Sequence, residues 1–189
     1  SDEADPFRNM KLIAPGHEGT YEDQPFSPSY TDGIASFSNL RFMDWGQTNA
    51  SPIVSWSERS TPNYFTQASA LGVALEHQIQ MANQAHQSAW FCVPARADDD
   101  FVRNMARMIR DDLDPDLKIF VEYSNETWNF IFTQTAYVQD QGEVLGMHPD
   151  RWQAGQKFVA LRSAQIWQIF AEELGDSADN RLVKVKRPS

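Results

Sequence analysis

From residue 39 onward, short apolar runs alternate with stretches of helical periodicity, and few folds accept that rhythm. The apolar runs are Asn39-Leu40-Arg41-Phe42-Met43-Asp44-Trp45, Ala89-Trp90-Phe91-Cys92-Val93-Pro94, Leu117 to Tyr123, and Arg181-Leu182-Val183-Lys184-Val185. Between them lie segments with apolar residues at helical spacing. One runs from about Tyr64 or Ala74 to Ala85. A second starts at Asp98-Asp99-Asp100 and carries Phe101, Met105, Met108, Ile109 and Leu113. A third covers Thr133 to Gln141 and stops at Gly142. A fourth runs from about Gly155 to Leu174 and stops at Gly175. Strands alternating with helical patterns predict a parallel sheet in an α/β fold. Phe91-Cys92-Val93 and Ile119-Phe120-Val121 are continuous apolar runs, as parallel strands covered on both faces require.

The first 35 residues are different. Pro6, Pro15-Gly16, Pro25, Pro28 and Gly33 make them turn-rich, and one strand is expected there, over Met10-Lys11-Leu12-Ile13-Ala14. With it the chain has about five strands. Its 189 residues suffice for one domain with a sizeable core, so a single domain over 1–189 is expected.

Charge and composition exclude several functions. A net charge of −10 opposes binding to a phosphate backbone or an anionic membrane, and no apolar run is long enough to span a bilayer. No glycine-rich phosphate loop follows any strand. Cys92 is the single cysteine, and His17, His77, His86 and His148 are scattered without ligand spacing, so neither a metal nor a cofactor is expected. Nucleic acid and membrane are excluded as partners. Asp98-Asp99-Asp100 reads as a dipole-favoured helix start rather than a cation site.

Residues that act in parallel α/β folds sit just past the carboxyl ends of the strands. Those ends carry Asp44-Trp45, Arg96-Ala97-Asp98 and, most unusually, Ser124-Asn125-Glu126-Thr127-Trp128. A carboxyl group there, walled by Tyr123 and Trp128, suits general acid catalysis, an amide at Asn125 suits a ligand hydroxyl, and a tryptophan face suits a sugar ring. The competing reading is that Glu126 opens the next helix and Asn129 caps it. Arg41 and Asp44 can equally serve as an internal ion pair or cap, and Trp45 as core. Glu122 faces oppositely to Tyr123 and needs an internal partner such as Arg41.

The stretch "VEYSNETWN" resembles the strand-four signature of clan A glycoside hydrolases, retaining enzymes built on a (β/α)8 TIM barrel. The longer frame of "LRFMDW", "WFCVPARADDD", "DLKIFVEYSNETWN" and "LRSAQIWQIFAEELG" is similar to a group of bacterial secreted proteins of that barrel class. The resemblance runs from about Asn9 to Val185. It implies that Glu126 is the general acid/base and Asn125 the residue that holds a sugar hydroxyl. Arg41 would stand near the nucleophile, and Asp44, Trp45, Arg96, Asp98, Tyr123 and Trp128 would be positions for substrate contact. It implies a polysaccharide substrate and an extracellular location. It also implies a barrel of which this chain covers roughly strands 1–5, completed by the remainder of the barrel or another protein segment. The nucleophilic glutamate of such enzymes closes strand seven, outside this chain. A non-catalytic carbohydrate-binding or structural protein on the same barrel is the alternative, as is an unrelated (β/α) enzyme. Two Asn-X-Ser/Thr sequences, at Asn49 and Asn125, read as chance matches.

Overall fold

The computed structural model describes residues 11–22 and 24–186. The chain divides into two compact units, Ser1–Ser36 and Phe37–Ser189. The first holds turns and one short helix, α1 (Pro28–Ile34), which begins on Pro28, a residue suited to the first helical turn. Its expected strand is not formed over residues 11–14, and Met10 lies outside the described residues. Leu12 is fully exposed and Ile13 only half-buried.

The second unit carries the βα alternation as β1 (Asn39–Arg41), α2 (Leu75–Ala85), β2 (Ser88–Val93), α3 (Asp99–Asp112) and β3 (Ile119–Tyr123), then α4 (Thr133–Val144), α5 (Arg151–Leu174), α6 (Ala178–Arg181) and β4 (Leu182–Lys184). The described residues thus form four strands rather than five. They make one all-parallel sheet in the order β1-β2-β3-β4. Sequential order with crossovers of the usual right hand places the connecting helices on one side. Burial agrees. Phe91, Val93, Ile119, Val121 and Tyr123 alternate onto a fully buried face, where Tyr123 meets Phe158 of α5 edge-on and the Trp167 indole donates to the Val121 carbonyl at 3.0 Å. The register sets Arg41, Trp90, Phe120 and Val183 in one row on the opposite face, with Cys92 and Glu122 in the next. There Trp90 and Phe120 are half-buried and stacked.

Several boundaries differ from expectation for local reasons. β1 stops at Arg41 because the chain turns at once, the Gly46 N–H donating to the Phe42 carbonyl at 2.8 Å. α2 starts at Leu75, and the residues before it are irregular around Gly72, where a Cβ would meet the Trp45 carbonyl oxygen at 2.5 Å. α5 starts one turn early, because Asp150 caps it by accepting from the Gln153 N–H at 2.8 Å. Arg181 is not in the last strand. It ends α6, is buried, and donates to the carbonyls of Leu113, Asp114 and Leu117, tying off the carboxyl end of α3. No helix among the described residues is long and apolar enough to cross a membrane.

Gly142 does not end its helix. It lies inside α4 at the crossing with α5, where an added Cβ would stand 2.2 Å from the Ala154 carbonyl oxygen, and one on Gly155 would stand 2.9 Å from Gln139 Cγ. The glycines are selected by helix approach, which outweighs their poor helix propensity. Gly142→Ala therefore overpacks this crossing and lowers stability by about 1 to 3 kcal/mol, read as a drop in the thermal midpoint. A midpoint unchanged or raised, as helix propensity alone would give, contradicts the packing account.

Candidate active site

At the carboxyl end of β3 the backbone leaves the ordinary strand conformation. Ser124 has φ 57° and Glu126 φ 40°, with Asn125 between them. The loop after β1 does the same at Gln47, φ 45°, and Ala50, φ 55°. A left-handed conformation at a non-glycine residue costs about 1 to 3 kcal/mol and persists only where the surroundings over-determine it. Of the five such residues among those described, four lie on this rim; the fifth, His86, closes α2.

What over-determines the corner is a polar network around Asn125, which is 3% exposed. Its side-chain oxygen accepts from Arg41 Nη2 at 2.9 Å, and its side-chain nitrogen donates to Asn49 Oδ1 at 3.0 Å. Its own carbonyl accepts from Gln134 Nε2 at 2.8 Å, and the same nitrogen donates to Asn49 Oδ1 at 2.8 Å. Gln134 Oε1 in turn accepts from the Ala50 N–H at 2.9 Å. One glutamine in the first turn of α4 thus sutures the loops that follow β1 and β3. Ser124 is fully buried, and its hydroxyl has no hydrogen-bond partner.

Below the corner, on the strand itself, lies Glu122, 5% exposed. One of its oxygens accepts from Arg41 Nη2 at 2.7 Å, from the Trp90 indole at 3.0 Å and from the Cys92 thiol at 3.5 Å. The Arg41 guanidinium also lies over the Trp90 ring, 5.1 Å from its centre. Burial is the largest single influence and works against its charge, but the hydrogen bond to Glu122 and the surrounding negative groups together outweigh it and raise the Arg41 pKa above its ordinary value. The expected partnership of Glu122 and Arg41 is therefore present, and Arg41 spends its second bond on Asn125.

Glu126 itself is half-buried at the rim. Its carboxylate accepts from Asn129 Nδ2 at 2.8 Å, and its carbonyl accepts from the Asn129 N–H at 2.9 Å. Asn129 is not a helix cap. It closes a turn of its own, accepting the Ile131 N–H on its side chain and the Thr135 hydroxyl on its carbonyl, and α4 begins only at Thr133.

The other expected site residues separate into two groups. Trp128 is 52% exposed beside the corner. Asp44 and Trp45 line a 510 Å³ cleft at the end of β1 with Gln47, Gln67 and Ser69, where Trp45 is half-buried against Phe42. Tyr123 and Asp98 are instead committed elsewhere. The Tyr123 hydroxyl is buried on the helix side and donates to the Ala95 carbonyl at 2.8 Å, and burial pushes its pKa up. Asp98 caps α3 by accepting from the Phe101 N–H at 2.7 Å, and Asp99 pairs with Arg162. Arg96 is exposed and leans over the Tyr137 ring at 5.5 Å. A separate groove of 740 Å³ lies beside the corner, lined among others by Glu122, Trp128, Trp152, Gln156 and Trp167.

Away from the rim, His86, Asp114 and Asp116 cluster before β2 and β3, with His86 Nε2 3.1 Å from Asp116. They are at the surface, and the imidazole already faces both carboxylates. In the sequence Asn49 reads only as a chance glycosylation match and Asn129 only as a helix cap, and Gln134 and the Trp90 and Cys92 donors are absent from that reading. Nothing local marks Asn49 or Gln134, whose bonds to one another span 85 positions. No family model, curated protein or solved structure matches the chain. The class defined by fold and site is therefore an all-parallel, sequentially ordered α/β sheet with a strained polar corner on its carboxyl rim.

Arg41→Met removes the cation from a buried carboxylate and costs about 3 kcal/mol, near the lower end of the range for a broken buried pair because a third of the arginine side chain is exposed. Arg41→Met with Glu122→Met removes both charges and loses less than the single change. A double variant less stable than Arg41→Met in urea unfolding contradicts this.

Proposed function

We propose that this chain supplies the acid/base end of a retaining glycoside hydrolase on a (β/α)8 barrel, acting on a polysaccharide. The observation that carries the reading is Glu126. It stands immediately past the carboxyl end of β3, half-buried in a strained corner, and the Asn125 beside it is held by an arginine from β1. Sequential strand order without a switch point favours a barrel over a doubly wound sheet. On a barrel the face bearing Arg41, Trp90 and Glu122 would be the interior.

In this mechanism the Glu126 carboxyl protonates the leaving glycosidic oxygen while a second carboxylate attacks the anomeric carbon. The Glu126 carboxylate then takes a proton from the water that releases the sugar. The two carboxyl groups of such enzymes stand about 5 to 5.5 Å apart. The nucleophile is assigned to a later strand of the complete barrel, outside these residues. Trp128 offers a face for a sugar ring, and the cleft at Asp44 and Trp45 a neighbouring subsite. An extracellular location belongs to the same reading.

The alternative is a non-catalytic carbohydrate-binding protein on the same scaffold. It draws on the 740 Å³ groove, whose size suits a ligand larger than one sugar and whose walls include three tryptophans. The acid decides between them. In the full-length protein, Glu126→Gln should lower release of reducing sugar by at least about 100-fold, the scale of general acid/base catalysis, while glycan binding persists. Undiminished release overturns the catalytic assignment.

A further inference from the structure

We infer that Asn49 and Gln134 are positioning residues for the acid/base: they fix the Asn125–Glu126 corner, so the loops after β1 and β3 act as one unit. The inference rests on the glycosidase reading and assigns roles to two residues outside its acid and its substrate contacts. Gln134 is 2% exposed, so it cannot reach a substrate. Its side-chain hydrogen bonds go to the two loops: Asn49 Oδ1 at 2.8 Å, the Asn125 carbonyl at 2.8 Å and the Ala50 N–H at 2.9 Å.

The geometry explains why these two matter. Asn125 is the hinge between the left-handed residues Ser124 and Glu126. Arg41 holds one end of its amide, Asn49 the other, and Gln134 its carbonyl. Asn49 Oδ1 is the shared acceptor, taking one hydrogen from Asn125 and one from Gln134. The role of Asn49 at the corner is therefore that of an oxygen acceptor at one point in space, while its side-chain nitrogen donates to Met43 Sδ at 3.8 Å. An aspartate at 49 keeps that oxygen and an alanine does not. Release of either bond lets Ser124 and Glu126 relax toward ordinary dihedrals, which turns the Glu126 carboxylate away from the bond that it protonates.

The test is made in the full-length protein, on a polysaccharide that wild type hydrolyses and Glu126→Gln does not. Asn49→Ala and Gln134→Ala should each lower kcat by about 10- to 100-fold, the effect of misplacing a reacting group by about an ångström. KM should stay within about twofold, because the substrate contacts are untouched. Asn49→Asp should keep kcat within about threefold of wild type, and the double variant Asn49→Ala/Gln134→Ala should be no slower than its slower parent. Unchanged kcat in both alanine variants, a loss confined to KM, or Asn49→Asp as slow as Asn49→Ala each overturns the inference. Should Gln134→Ala fail to fold, the comparison of Asn49→Ala with Asn49→Asp decides alone. Amide hydrogen exchange over residues 124–129 needs no activity. It should speed up about tenfold in Asn49→Ala and not in Asn49→Asp; equal exchange in the two overturns the positioning role. Should Glu126→Gln hydrolyse as fast as wild type, the glycosidase reading falls, and the exchange result still decides whether Asn49 holds the corner.

Discussion

Asn125 is held at three points, and the shape of the rim depends on all of them. A buried amide with both ends paired cannot swing without leaving polar atoms unsatisfied, which in a water-poor site costs more than the bonds themselves contribute. That constraint keeps Ser124 and Glu126 left-handed, and it determines where the Glu126 side chain emerges. It also links the corner to the sheet, since the Arg41 nitrogen that reaches Asn125 is the one that neutralises Glu122. Ion pair, amide and acid form one connected assembly running from the sheet to the rim. The same bonds explain why Asn125 makes a poor glycosylation acceptor despite its Asn-Glu-Thr context: its side-chain nitrogen is buried and already donating to Asn49.

The parts of the fold legible in the sequence are those set by local pattern. Alternating apolar and helical segments gave the parallel sheet, because strand burial on both faces writes itself as Phe91-Cys92-Val93 and Ile119-Phe120-Val121. The acidic start of α3 was legible because Asp98 caps its own helix. The pairing of Glu122 with Arg41 was legible because strand alternation puts Glu122 on the face opposite Tyr123, where a carboxylate needs a cation. Gly142 misled because its local meaning, a stop, is overridden by α5 passing within contact distance. Leu12 misled because an apolar run makes a strand only where a partner exists. Asn49 and Gln134 carried no signal, since a bond between residues 85 positions apart exists only once the β1 and β3 loops meet on the rim.

In the proposed reaction the corner supplies one of two carboxylates. Glu122 is given a structural role rather than that of the second carboxylate, because one of its oxygens accepts from Arg41, Trp90 and Cys92 together. The proposed reaction therefore asks of this chain only a proton donor of fixed direction and a surface on which a sugar can lie. In that proposal the exposed Trp128 and the cleft at Trp45 serve the second task, and the Asn125 network the first.

The most direct measurement is chemical rescue of Glu126→Ala in the full-length protein, with an activated aryl glycoside as substrate and azide as added nucleophile. An activated leaving group departs without an acid, so the glycosyl-enzyme still forms, and azide needs no base to attack it. The account predicts that azide restores turnover and yields a glycosyl azide with the anomeric configuration of the substrate. Wild-type turnover of the glycoside alongside an alanine variant that is equally active without azide, or that azide leaves inactive, would contradict the assignment of Glu126 as the acid/base.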